Sequence, residues 1–134
     1  MIGQRITAIP GSSDVFLGGI IAYANRLKSA LGVPDRILEE FGAVSEETVK
    51  AMAKAVRERH AADLDVSVSG IAGPGGGSPE KPVGTVWFAW GIKGGETLVQ
   101  RHLLGGNRAE IRVQSVRIAL QGIINLLNQL TESA

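Results

Sequence analysis

The chain has 134 residues, 44% of them hydrophobic, and its 14 Lys+Arg against 13 Asp+Glu leave a formal net charge of +1. That balance excludes the broad basic surface that wraps a nucleic acid, and the length fits one domain with a sizeable core. With no Cys there is no disulfide, thiolate metal site or cysteine nucleophile. No apolar run reaches membrane-spanning length and no signal pattern opens the chain, so a cytoplasmic domain is expected.

In chain order, "MIGQRITAIPGSSD" places Ile2, Ile6 and Ile9 at helical spacing before Pro10-Gly11 stops the pattern. This helix has no capping residue ahead of it and reads as one entered midway. "GGIIAYAN", Gly18 to Asn25, is a short apolar run that predicts a buried strand. A helical segment through Lys28 follows, then a short helix opened by Pro34 and closed by Gly42. "VSEETVKAMAKAVRERH" predicts a longer helix with Ser45 as N-cap, Glu46 and Glu47 at its positive end, and Val49, Met52, Ala53 and Val56 as its apolar face.

"DLDVSVSG" alternates Leu64, Val66 and Val68 with polar residues, as a half-buried strand does. After a glycine-rich loop, "GTVWFAWGI" and "ETLVQRHLL" read as two strands joined through Lys93-Gly94-Gly95, a hairpin. The last helix opens on a capping box, Asn107 with Glu110, and Val113, Val116, Leu120, Ile123, Leu127 and Leu130 form its predicted buried stripe. Gly122 inside that helix costs roughly 1 kcal/mol relative to Ala, which points to close packing there. The pattern is that of a compact α/β domain.

The loop "GIAGPGGGSP", Gly70 to Pro79, is the most distinctive stretch. It does not match the Walker A pattern, and from Gly73 the dinucleotide fingerprint meets Ser78 in place of its last glycine. It leaves the end of a strand, its glycines let backbone N–H groups approach an anion, and Pro74, Pro79 and Pro82 stiffen it. Composition alone leaves a ligand cradle and a structural crossover both open. Ser78 and Lys81 match S-x-x-K, but Pro82 disfavours the helical geometry that a serine–lysine pair needs, so chance explains the match. His60 and His102 stand in no metal-ligand spacing, and no protein metal site is expected.

Lys28, just past an apolar run and near Tyr23 and Asn25, is a candidate general base if partly desolvated, although a surface lysine is the commoner outcome. Arg108 follows Gly105-Gly106 at a helix start, where it could meet a phosphate together with backbone N–H groups or stand as an exposed charge.

"PGSSDVFLGGIIAYANRLK", "GAVSEETVKAMA", "VSGIAGPGGGSPEKPVGTVWFA" and "GGNRAEIR", in that order across the chain, resemble the CinA C-terminal domain family. Its active members resemble nicotinamide mononucleotide amidohydrolases. The resemblance implies a single-domain three-layer α/β/α sandwich with a mixed sheet over residues 1–134. It also implies hydrolysis of the carboxamide of nicotinamide mononucleotide, giving nicotinic acid mononucleotide and ammonia, by a serine–lysine pair without metal or organic cofactor. The family's Y-x-N-x-x-K pattern falls on Tyr23, Asn25 and Lys28, with Lys28 and Tyr23 catalytic and Asn25 at the substrate. The nucleotide-lining positions fall on Gly73, Gly75, Gly76, Gly77 and Thr85, and the basic position before the last helix on Arg108.

Two departures accompany the resemblance. The family's T-A-E-S-C-T-G-G loop, which carries the nucleophilic serine, has no counterpart here, and "MIGQRIT" corresponds to the helix after it. The expectation is an N-terminally incomplete domain that binds the nucleotide without turnover, either truncated or a degenerate, non-catalytic binding module. The family's G-D-R is Gly106-Asn107-Arg108 here, which keeps a capping residue and removes a charge. The expected partner is a small mononucleotide, with no nucleic acid and no membrane. A missing strand would leave an open sheet edge, so a homo-oligomer, dimer or higher, is expected.

Overall fold

The near-continuous apolar run "TVWFAWGI" sets the centre of the structure. The computed structural model describes residues 1–133. Strand β2 (Thr85–Ile92) pairs antiparallel with β1 (Leu64–Gly70) on one side and β3 (Leu98–Leu103) on the other. Val86, Phe88 and Trp90 point to one face of the sheet and Ala89 to the other, as a period of two requires. A strand apolar on both faces needs cover on both. Helix α4 (Glu46–His60) lies on one face, where Val49 and Ala53 meet Ala89. Helix α5 (Arg108–Ser133) lies on the other, where Ile111, Ala119 and Leu126 meet Val86, Phe88 and Trp90.

The three-layer α/β/α arrangement is thus present. In place of the mixed sheet, the three described strands are all antiparallel, because each connection between them returns the chain directly alongside the strand it has left. Four further short helical elements flank these layers: α1 (Ile2–Thr7), a 3₁₀ turn (Ser12–Asp14), α2 (Asn25–Leu31) and α3 (Asp35–Phe41). Helix α1 has no side-chain cap, and Ile2 packs against the α5-side core. Helix α4 has the predicted cap, with Thr48 N donating to Ser45 Oγ at 3.1 Å. The capping box of α5 is formed in both directions: Glu110 N donates to Asn107 Oδ1 at 2.9 Å and Asn107 N to Glu110 Oε1 at 3.0 Å.

Three further expectations are corrected. Residues 18–24 form no strand; they are irregular with Ile21 89% and Tyr23 81% exposed, since no neighbouring strand pairs with them among the described residues. Strand β1 is covered on both faces instead of one. Its polar face is buried against α4, where Ser67 Oγ donates to Val49 O at 2.6 Å and Asp65 meets Arg57 at 2.6 Å. Buried polar groups require such partners. Finally, the buried face of α5 is rotated from the predicted stripe: Ile111, Val116, Ala119 and Leu126 are inside, while Val113, Leu127 and Leu130 are exposed. Small residues let this face approach the sheet. A Cβ at Gly122 would overlap the Trp90 ring, and Trp90 Nε1 donates to Ala119 O at 2.9 Å. The close packing predicted at Gly122 is therefore real. Among the described residues no helix is long and apolar enough to cross a membrane.

Candidate functional site

Helix α2 begins at Asn25, so Lys28 and Leu31 fall one turn apart and both are buried, in the layer that contacts α4. Side chains on a helix lean toward its N-terminus. Lys28 accordingly reaches back past the N-cap residue Ala24, its Nζ donating to Ala22 O at 2.7 Å and Tyr23 O at 2.8 Å. The residue is only 6% exposed, and burial pushes its pKa below the usual lysine range. The surface alternative is thereby removed. Tyr23 enters this cluster through its main-chain carbonyl, while its side chain stands in solvent; Asn25 is exposed at the first position of α2.

A protonated lysine carries three N–H donors, and a neutral one carries two and a lone pair. Desolvation favours the neutral amine, whose lone pair can accept a proton, while the two carbonyls hold Nζ in place in either protonation state.

The glycine-rich segment joins β1 to β2, so it is the long connection of an antiparallel pair and not the strand end of an open parallel sheet. The ligand-placement rule for parallel α/β sheets does not apply to it. Its base is closed by main-chain bonds: Ile71 N to Thr85 O at 2.9 Å, Gly84 N to Ile71 O at 2.8 Å and Leu104 N to Gly84 O at 2.8 Å. Thr85 is buried and its hydroxyl donates to Pro82 O at 2.6 Å, so it fixes the loop's return. Gly73 has φ +75°, and a Cβ there would press into Val83; one at Gly77 would meet Val83 as well. Only glycine fits both the backbone twist and the contact at Gly73.

Arg108 is brought to this loop by the start of α5, and its Nη1 donates to Gly73 O at 2.9 Å. It is a loop contact across 35 residues, which its position at a helix start did not disclose. Gly75, Gly76 and Gly77 form the exposed tip, and none of their N–H groups meets an acceptor among the described residues. Such free donors are what an anion requires. Gly73, Thr85 and Arg108 thus belong with the glycine loop, and Lys28 with the Tyr23 carbonyl forms a second cluster, with Asn25 exposed at the start of the same helix. No hydrogen bond among the described residues joins the two directly.

Lys81, weighed in the sequence only as half of a chance S-x-x-K match, makes a long-range contact instead. Its main chain exchanges bonds with Ser78, through Ser78 N to Lys81 O at 2.9 Å and Lys81 N to Ser78 Oγ at 3.1 Å, but its Nζ turns away to Phe41 O at 2.6 Å. The S-x-x-K pair is therefore a turn and not a facing serine and lysine. The residue type was visible in the sequence; its partner, 40 positions away, was not.

Comparison with known proteins gives concordant results. The model of the CinA C-terminal domain matches residues 1–127. A CinA-like protein of Akkermansia muciniphila is 52% identical over 93% of this chain, which spans 30% of that relative's length. The nicotinamide-nucleotide amidohydrolase PncC of Pseudomonas putida is 45% identical over 93% of this chain and 78% of its own length. The crystal structure of the competence/damage inducible protein CihA from Agrobacterium tumefaciens superposes with a TM-score of 0.90 at 44% identity, covering 93% of this chain and 77% of that one. Sequence blocks, layered fold and family model agree over nearly the whole length, and the chain belongs to the CinA C-terminal domain family.

Proposed function

We propose that the chain supplies the general base and one wall of a site that hydrolyses the carboxamide of nicotinamide mononucleotide. The observation that carries this reading is the buried Lys28 amine, whose Nζ is held by Ala22 O and Tyr23 O. Two relatives named nicotinamide-nucleotide amidohydrolase, 45% and 48% identical, support the substrate class.

An amide carbon is a poor electrophile, so a serine must lose its proton as it attacks. The Lys28 lone pair takes that proton, and serine Oγ bonds to the carboxamide carbon. Lys28 then returns the proton to the departing nitrogen, the C–N bond breaks and ammonia leaves. Water, deprotonated by the same amine, cleaves the acyl-enzyme to the nicotinic acid nucleotide. The free N–H groups of Gly75, Gly76 and Gly77 are the donors this chain offers to a developing or resident negative charge. Tyr23, whose carbonyl meets the amine, Asn25 at the start of α2, and Arg108 and Thr85, fixing the loop, complete the proposed residue set.

The 134 residues contain no Cys, hence no Ser-Cys loop of the family type, and the nucleophile is proposed to come from outside them. The chain by itself should bind the nucleotide without releasing ammonia. Preceded by a strand and the serine loop, it should release ammonia, and Lys28→Met should lower that rate about 10²–10⁴-fold. Ammonia release by these 134 residues alone, or an extended protein indifferent to Lys28→Met, would overturn the assignment.

A further inference from the structure

Two cations meet main-chain carbonyls on either side of the glycine tip. Arg108 holds the outgoing arm at Gly73 O, and Lys81 holds the returning arm. We propose that Lys81 is a positioning residue: it straps the glycine loop to the C-terminal end of α3, so that the tip N–H groups are presented in a fixed direction. The choice of probe below rests on the amidohydrolase reading; the strap itself does not.

The Lys81 Nζ lies 2.6 Å from Phe41 O, at the end of α3 where carbonyls have no partner within the helix and the dipole is negative. An ammonium is well matched to that position. The anchor it grips is itself fixed, since Gly42 O accepts from Ser45 Oγ at 3.0 Å and from Thr48 Oγ1 at 2.7 Å, at the first turn of α4. Helix α4 in turn packs on the sheet. The main chain of Lys81 meanwhile holds Ser78 at the foot of the tip. One residue therefore ties the loop both to its own stem and to the opposite layer.

The physical need is clear from composition. Three consecutive glycines have the largest conformational entropy to lose when a ligand orders them. Fixing the arms on either side removes part of that loss before binding. A cation spent on a helix-end carbonyl is also poorly placed to neutralise a phosphate. The strap reading therefore assigns anion contact to the backbone and not to Lys81.

The experiment compares the chain with Lys81→Met, which keeps the stem and loses the donor, and with Lys81→Arg, which keeps a donor. Backbone order parameters of Gly75, Gly76 and Gly77 are measured by NMR without ligand. Affinities are measured by calorimetry for nicotinamide mononucleotide and for nicotinamide riboside, which lacks the phosphate. In Lys81→Met the order parameters should fall from near ~0.85 toward ~0.6 or below. Both ligands should weaken by the same factor, about tenfold, and Lys81→Arg should recover most of it. Unchanged order parameters would overturn the strap. Weakening confined to the phosphate-bearing ligand would overturn it too, and would make Lys81 an anion contact. If the unaltered chain binds neither compound the amidohydrolase reading fails, while the order parameters still decide the strap.

Discussion

Replacing Gly122 by Ala sets two opposed effects against each other. On helix propensity alone the substitution gains about 1 kcal/mol, since glycine is that much worse than alanine in a helix interior. In the structure, however, the new methyl falls on the Trp90 indole, against three of its ring atoms. Trp90 cannot move aside freely: it is buried, stacked with Phe88 at 5.7 Å between ring centroids, and bonded through Nε1 to Ala119 O. Overpacking a core in this way costs about 1–3 kcal/mol. Displacing the indole from Ala119 O strands a buried donor for about 1–3 kcal/mol more. The net expectation is a loss of about 1–5 kcal/mol, read as a lowered urea midpoint at unchanged m-value. Trp90→Phe removes the ring atoms that the methyl would strike. In that background Gly122→Ala should cost less than it does alone, and the difference is the coupling energy of a double-mutant cycle. A stabilised Gly122→Ala, or a cycle with no coupling, would refute the close-packing account of this helix.

Three further outcomes follow from the charges and an exposed apolar segment. Burial lowers the folded-state pKa of Lys28, so the native state binds fewer protons than the unfolded chain between that value and the ordinary lysine value. Stability should therefore rise with pH across that window, and Lys28→Met should abolish the rise in denaturation curves taken from pH 7 to 10. The Asp65 carboxyl is raised above its usual value by burial and pulled back by Arg57, whose Nη1 lies 2.6 Å away. Arg57→Met removes the downward pull, so the variant should lose stability as pH rises from about 4 to 7. It should be less impaired near pH 4, where the lone carboxyl is neutral; equal impairment at both pH values would contradict this. We also propose that the exposed apolar segment around Val15, Leu17, Ile21 and Tyr23 drives self-association. Light scattering should show mass rising with concentration, and Ile21→Lys should suppress the rise; a monomer at all concentrations would dismiss it.

The local grammar of this chain was legible because it is enforced by the backbone. Ser45, Asn107 with Glu110, and Lys93-Gly94-Gly95 mark a cap, a capping box and a hairpin wherever they stand, since each satisfies groups within a few residues of itself. Gly122 announced a close contact without naming its partner. What periodicity could not determine was which of two apolar faces of α5 turns inward. Val113, Leu127 and Leu130 are as hydrophobic as the residues that are buried, and the choice fell to the shape of Trp90, which only a small residue can approach. The segment Gly18 to Asn25 has the composition of a strand, yet a strand exists only with a neighbour to pair with.

The same division runs through the site. The sequence by itself marked the glycine loop and Lys28 as candidates through residue types at fixed spacing, and pointed to the family through the resemblance of four blocks in order. Only the tertiary structure decided that Lys28 is buried with its donors engaged, and that Arg108 and Lys81 grip carbonyls 35 and 40 residues away. Burial and long-range partners depend on which surfaces meet when the layers close, and neither is a property of any short stretch of chain.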